Sequence, residues 1–120
     1  MTFANPESER ARALEIHKSG DLEAAEAIYA ALLAQDPEDG PTSGLLGLLR
    51  LQQGRAPEAK ELLERACQLA PGEAKHHNNL GNAEMALGQP EAAEKAFSRA
   101  VEVEPGAADF HVNAATAKLA

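Results

Sequence analysis

The sequence predicts an all-α chain of antiparallel helix pairs stacked in a row, and three observations carry that prediction. Pro37, Pro71 and Pro105 stand 34 residues apart, as do Gly20, Gly54 and Gly88, each glycine 17 residues before its proline. The segments between them, GDLEAAEAIYAALLAQDP, GRAPEAKELLERACQLAP and GQPEAAEKAFSRAVEVEP, share Ala25, Ala59 and Ala93, then Tyr29, Leu63 and Phe97, then Leu32, Ala66 and Ala100. Spacings of four and three place these residues on one face of a helix. Finally, apolar residues make up 44% of the chain but aromatic ones only 3%, which calls for a core of small side chains in close contact, as between packed helices.

Each unit reads as helix, glycine turn, helix, proline-marked turn. Glycine permits the positive-φ exit from the first helix, and proline stops the second from continuing. Helices are predicted at about 7–19, 22–35, 42–53, 56–70, 74–87, 90–103 and 108–119. Asp21 suits an N-cap; Pro57 and Pro90 fall in first turns, where a missing N–H costs little. The 120 residues then form one domain with repeats 6–39, 40–73 and 74–107 and a terminal helix at 108–120.

A net charge of −8 and a pI near 4.9 argue against a nucleic-acid or anionic-membrane surface, which needs a basic patch. Residues 1–39 hold nine acids against three bases, while 40–73 balance at four each. Cys67 is the only cysteine, so there is no internal disulfide and a reducing compartment is expected. The start MTFANPESER has no apolar leader and no run has the length of a membrane span, so the expectation is a soluble, cytoplasmic protein.

The segment AKHHNNLGNAEMALGQPEAAEKAFSRAVEVEP carries Leu80, Gly81, Gly88, Ala93, Phe97, Ala100 and Pro105, and the second repeat carries Leu46, Gly47, Gly54, Ala59, Leu63, Ala66 and Pro71 at the same spacing. On these positions the chain, from residue 6 to about 120, resembles the tetratricopeptide repeat family. The first repeat departs from the pattern: Arg12 replaces the leucine, although Ala13 keeps the small residue. A less firmly packed first helix and a frayed or exposed N-terminus are therefore expected. The resemblance implies a right-handed superhelix whose first helices line a concave face, and a non-catalytic module that holds a peptide or helix of a partner protein there.

Counted along each repeat, that face takes the second, fifth, sixth, ninth, twelfth and thirteenth residues. In the third repeat these are Lys75, Asn78, Asn79, Asn82, Met85 and Ala86; in the last helix they include Asp109, Val112, Asn113, Thr116 and Leu119. Upstream, Leu14, Leu45, Leu48, Leu51 and Gln52 make a mainly apolar stretch. An asparagine amide both donates and accepts, so it can bond a peptide backbone whatever its side chains. The resemblance assigns that use to Asn79, Asn82 and Asn113, while solvation and hydrogen bonds between repeats account for the same residues. The family's terminal-carboxylate clamp is incomplete, since Asn78 stands where its first lysine would be.

Other chemistry has plainer explanations. His76 and His77 are adjacent, so they point about 100° apart on a helix and cannot easily share an ion. We expect His77 and His111, at the fourth repeat position, to pack, and His76 and His17 to face solvent. Cys67 has no activating histidine, and we expect a structural thiol. Glu61 with Glu64 and Glu91 with Glu94 are solvated pairs on outward helices. GPTSGLLGLL lacks the lysine and threonine of a phosphate loop. No metal or cofactor is called for.

The terminal AADFHVNAATAKLA is half a repeat, with Val112, Ala115 and Leu119 along a stripe. We expect the chain to be the N-terminal part of a longer protein, or to self-associate weakly through that end. Alanine-rich arrays of this bacterial style resemble those ahead of transferase or hydroxylase domains, which makes a regulatory or substrate-presenting role the alternative function.

Overall fold

The computed structural model describes residues 5–120. Its helices are α1 (Pro6–Lys18), α2 (Leu22–Gln35), α3 (Gly40–Gln52), α4 (Ala56–Leu69), α5 (Ala74–Ala86), α6 (Pro90–Val103) and α7 (Ala108–Leu119). Every boundary lies within two residues of its expectation, because both ends are written in local chemistry. Asp21 accepts the Ala24 N–H at 3.2 Å, Pro57 and Pro90 occupy first turns, and Gly20, Gly54 and Gly88 take φ of 98°, 76° and 71°. An L-residue there would be strained, so these glycines set where each pair folds back.

Pairs form by close approach. A Cβ on Gly47 would meet Leu63 Cγ at 2.6 Å, and one on Gly81 would meet Phe97 Cε1 at 2.4 Å. The missing side chain lets a fully buried leucine or phenylalanine lie on the backbone of the preceding helix, and each such burial stabilises by about 1.5–3 kcal/mol. Curvature follows from what touches. Among the described residues α1 contacts α3, α3 contacts α5 and α5 contacts α7, whereas α2, α4 and α6 do not contact one another. The odd-numbered helices therefore line the inner side of a solenoid 47 Å long.

Ion pairs cross two joints between repeats at one spacing. Glu26 on α2 pairs with Arg50 on α3, and Lys60 on α4 pairs with Glu84 on α5 at 3.4 Å, with the signs reversed. The bond from Gln53 and the Arg50 guanidinium hold the Glu26 carboxyl below its ordinary range. Glu84 is buried, and its Oε1 has no hydrogen-bond partner; burial raises its pKa despite Lys60.

The first helix is anchored although much of it is exposed, as expected; the terminus ahead of it lies outside the described residues. Asn5 Oδ1 accepts the N–H groups of Glu7 and Ser8, and Arg10 donates from Nη2 to both oxygens of Asp39 at 3.1 Å and from Nε to Thr42 Oγ1 at 2.9 Å. The anchor lies 29 residues away in sequence, so inspection of α1 alone does not reveal it. Arg12, at the departed position, is exposed and pairs with Glu9.

Candidate peptide-binding groove

The inner side opens into a groove of about 470 Å³ between α1, α3 and α5. Leu14 on α1 and Leu45 and Leu48 on α3 supply its apolar floor; Lys18, Glu73, Lys75 and Asn79 stand around it. Leu48, Lys75 and Asn79 were expected on this face, and the structure brings them together here. The wall on the α5 side is His76, contrary to the expectation that it faces solvent. It is 9% exposed and seats its ring on Gly44, where a Cβ would lie 2.3 Å from Cε1. Burial lowers its pKa, with Glu73 opposing and His77 assisting. The legible signal was a small residue at position five of one repeat facing a bulky one at position three of the next.

His17 is likewise buried, not solvated. Its Nε2–H donates to Gln52 Oε1 at 2.5 Å, which leaves Nδ1 to accept the Tyr29 hydroxyl at 3.1 Å. Gln52 is thereby engaged rather than free on the inner face, and burial pushes the Tyr29 phenol up to about 12. Leu51 also departs from its expected place, since it packs against Ala59, Leu63 and Ala83. The twelfth position is a packing position where the following helix covers it.

The asparagines divide. Asn113 Nδ2 donates to Asn78 Oδ1 at 2.8 Å, which ties α7 to α5, while Asn79 is half-buried in the groove and Asn82 is exposed. Asp109 and Val112 are exposed on α7, and the exposed Thr116 donates its hydroxyl to the Val112 carbonyl. These α7 residues lie beyond the groove, as do Asn78 and Asn82. His77 is buried and donates to the Pro71 carbonyl at 2.8 Å; His111 does the same to Pro105 at 2.7 Å but is exposed, so it fastens a turn without filling a packing slot. Among the described residues no three ligating groups converge on a metal position, and no helix is long and apolar enough to cross a membrane. Burial, with Glu84 and Glu64 nearby, raises the Cys67 thiol to about 11, so it is protonated at neutral pH.

The Tetratricopeptide repeat family model matches residues 17–73 and 50–119, which together span most of the chain. The chain belongs to the tetratricopeptide repeat family. Among solved tetratricopeptide structures, a mutant O-GlcNAc transferase from Thermobaculum terrenum superposes with a TM-score of 0.90 at 34% identity, over 98% of this chain and 23% of that one. The first repeat domain of Spaghetti (RPAP3), bound to the HSP90 peptide SRMEEVD, gives 0.90 at 18% identity over 95% and 90%. Cellulose synthase operon protein C of Pseudomonas fluorescens (strain SBW25) is 41% identical over 63 residues, which are 52% of this tetratricopeptide chain and 5% of that protein. The chain thus spans a small fraction of the curated relative and of the transferase.

Proposed function

We infer that the chain is a non-catalytic protein-interaction module that holds a peptide or helix of a partner protein along its inner face. Leu48, Lys75 and Asn79 contact the segment in the groove, and Asn78, Asn82, Asp109, Val112, Asn113 and Thr116 extend the track toward α7. The observation that carries this reading is the groove itself: an apolar floor with exposed Lys75 and half-buried Asn79 at its edge, open to solvent on the concave side of a repeat solenoid. The peptide complex of the Spaghetti domain is a precedent on the same fold.

The test compares partner capture with melting temperature in Leu48→Asp, Asn79→Ala and the double variant Asn82→Ala with Asn113→Ala. Loss of capture with an unchanged melting temperature in the groove variants supports the reading. Unchanged capture with lowered stability in the asparagine variants assigns Asn82 and Asn113 to stacking.

A second reading, a regulatory or substrate-presenting part of a larger enzyme, draws on the 34% identity with the transferase over 98% of the chain. The gene sequence beyond Ala120 tests it, and a stop codon there removes it. Weak self-association through α7 draws on Val112 and Leu119, which are 61% and 90% exposed. Sedimentation mass that rises with concentration supports it, and a constant monomer mass rules it out.

A further inference from the structure

A buried titratable ring in the groove wall is held by packing alone. The third position of α3, α5 and α7 holds Thr42, His76 and Phe110. Thr42 bonds to Arg10 and Asp39, Phe110 packs with Ala74 and Ala100, and neither titrates. The other buried histidines are bonded, His17 to Tyr29 and Gln52 and His77 to the Pro71 carbonyl. Among the described residues the His76 ring has no hydrogen-bond partner, although it is 9% exposed and forms one side of the groove. Gly44, against which it is seated, has no side chain to bond it.

We propose that His76 makes occupancy of the groove depend on pH: a segment held there closes over the neutral imidazole, and the groove lets it go as the ring takes a proton. This rests on the reading of the groove as a peptide site. A segment seated on Leu14, Leu45 and Leu48 lies against the ring and removes the water left to it. A neutral imidazole loses little by this, whereas an imidazolium, with two N–H donors and a charge, loses much more. The surrounding charges do not supply the missing partner. Helix α1 brings Lys18, which stands 3.9 Å from Glu15; α5 brings Lys75 and the adjacent His77; α3 and the end of α4 bring no charged side chain to the groove. Glu73, at the N-cap of α5, favours the charged ring but is exposed and makes no hydrogen bond to it. Burial already holds the free ring below 6.5, so in the window beneath that value the occupied chain binds fewer protons than the free one. Affinity is therefore full above the window and falls as pH drops through it, by at most about tenfold per pH unit.

The test uses the full chain and a peptide from a displayed library of random twelve-residue sequences without histidine, selected at pH 7.5 with Leu48→Asp as the counter-selection. Its affinity should fall roughly twofold to fivefold from pH 7.5 to 5.5, a range that stays above the pI of about 4.9, and the fall should be absent in His76→Phe. Circular dichroism checks that parent and variants are folded at both values. Nuclear magnetic resonance of the imidazole follows His76 itself, whose pKa should drop when the peptide is added. Equal affinity at the two pH values, a fall of the same size in His76→Phe, or a His76 pKa that stays or rises on binding overturns the pH dependence and leaves the groove reading in place. If no peptide distinguishes the chain from Leu48→Asp, the groove reading fails and this inference with it.

Discussion

The imidazole of His76 lies so close over Gly44 that a Cβ built on the glycine would stand 2.3 Å from Cε1 and 2.5 Å from Nδ1. This contact joins the second repeat to the third and forms one wall of the groove. Gly44→Ala should therefore destabilise the chain by about 1–3 kcal/mol through overpacking. Helix propensity alone would favour alanine by about 1 kcal/mol. Urea unfolding distinguishes the two, and a higher midpoint for the variant would refute the packing account.

Protonation of His76 offers a second measure of the same joint. Its pKa is lowered from 6.5 by burial, so the folded state binds fewer protons than the unfolded chain. Stability is then lost as pH falls below 6.5 toward the depressed folded value, and no further below it. Glu84 works in the opposite sense. Its raised pKa favours the fold at acid pH, and that contribution is lost as pH rises through the folded value. His76→Phe keeps a ring on Gly44 and removes the first effect, so its melting temperature should fall less between pH 7.5 and 5.5 than that of the parent. Equal slopes would show that His76 does not titrate against folding.

Glu84 is buried, with one oxygen facing Lys60 and the other without a partner. Lys60→Ala removes its counter-ion and should cost roughly 1–3 kcal/mol, whereas Glu84→Met with Lys60→Met should be near neutral or stabilising. A double-mutant cycle read by thermal unfolding checks this. Additive losses would mean that the two side chains do not interact.

Asp39 caps α3 through the Thr42 N–H and holds Arg10 of α1. Burial pushes its pKa up, but the Thr42 and Arg10 bonds outweigh this and hold the carboxyl below 3.8. Asp39→Ala should cost about 1–2 kcal/mol as a lost cap and pair. Amide exchange should accelerate in α1 and at the start of α3 while α5 and α6 keep their protection. Uniform acceleration would show that α1 has no separate anchor.

These contacts mark how far the sequence could be read. Pro37, Pro71 and Pro105 with Gly20, Gly54 and Gly88 located every helix, because capping and the φ of a turn depend on a few adjacent residues. The paired roles of Gly47 with Leu63 and Gly81 with Phe97 were legible as a recurring small and large residue. Leu48, Lys75 and Asn79, which the family resemblance placed on the inner face, line the groove.

What the sequence by itself determined is thus the repeat, the helix boundaries and the inward face of α3 and α5. Only the tertiary structure decided the fates of His17, His76, Gln52, Arg10 and Glu84. Each is polar, and periodicity assigns a polar side chain to water unless a partner removes it. Those neighbours, Tyr29, Gly44, Asp39 and Lys60 among them, lie on other helices or at a cap, at distances in sequence that no local pattern encodes. Stacking one repeat on the next supplies the neighbour that covers or pairs each group; His17 and Arg10 gain hydrogen bonds there, whereas Glu84 Oε1 stays unpartnered.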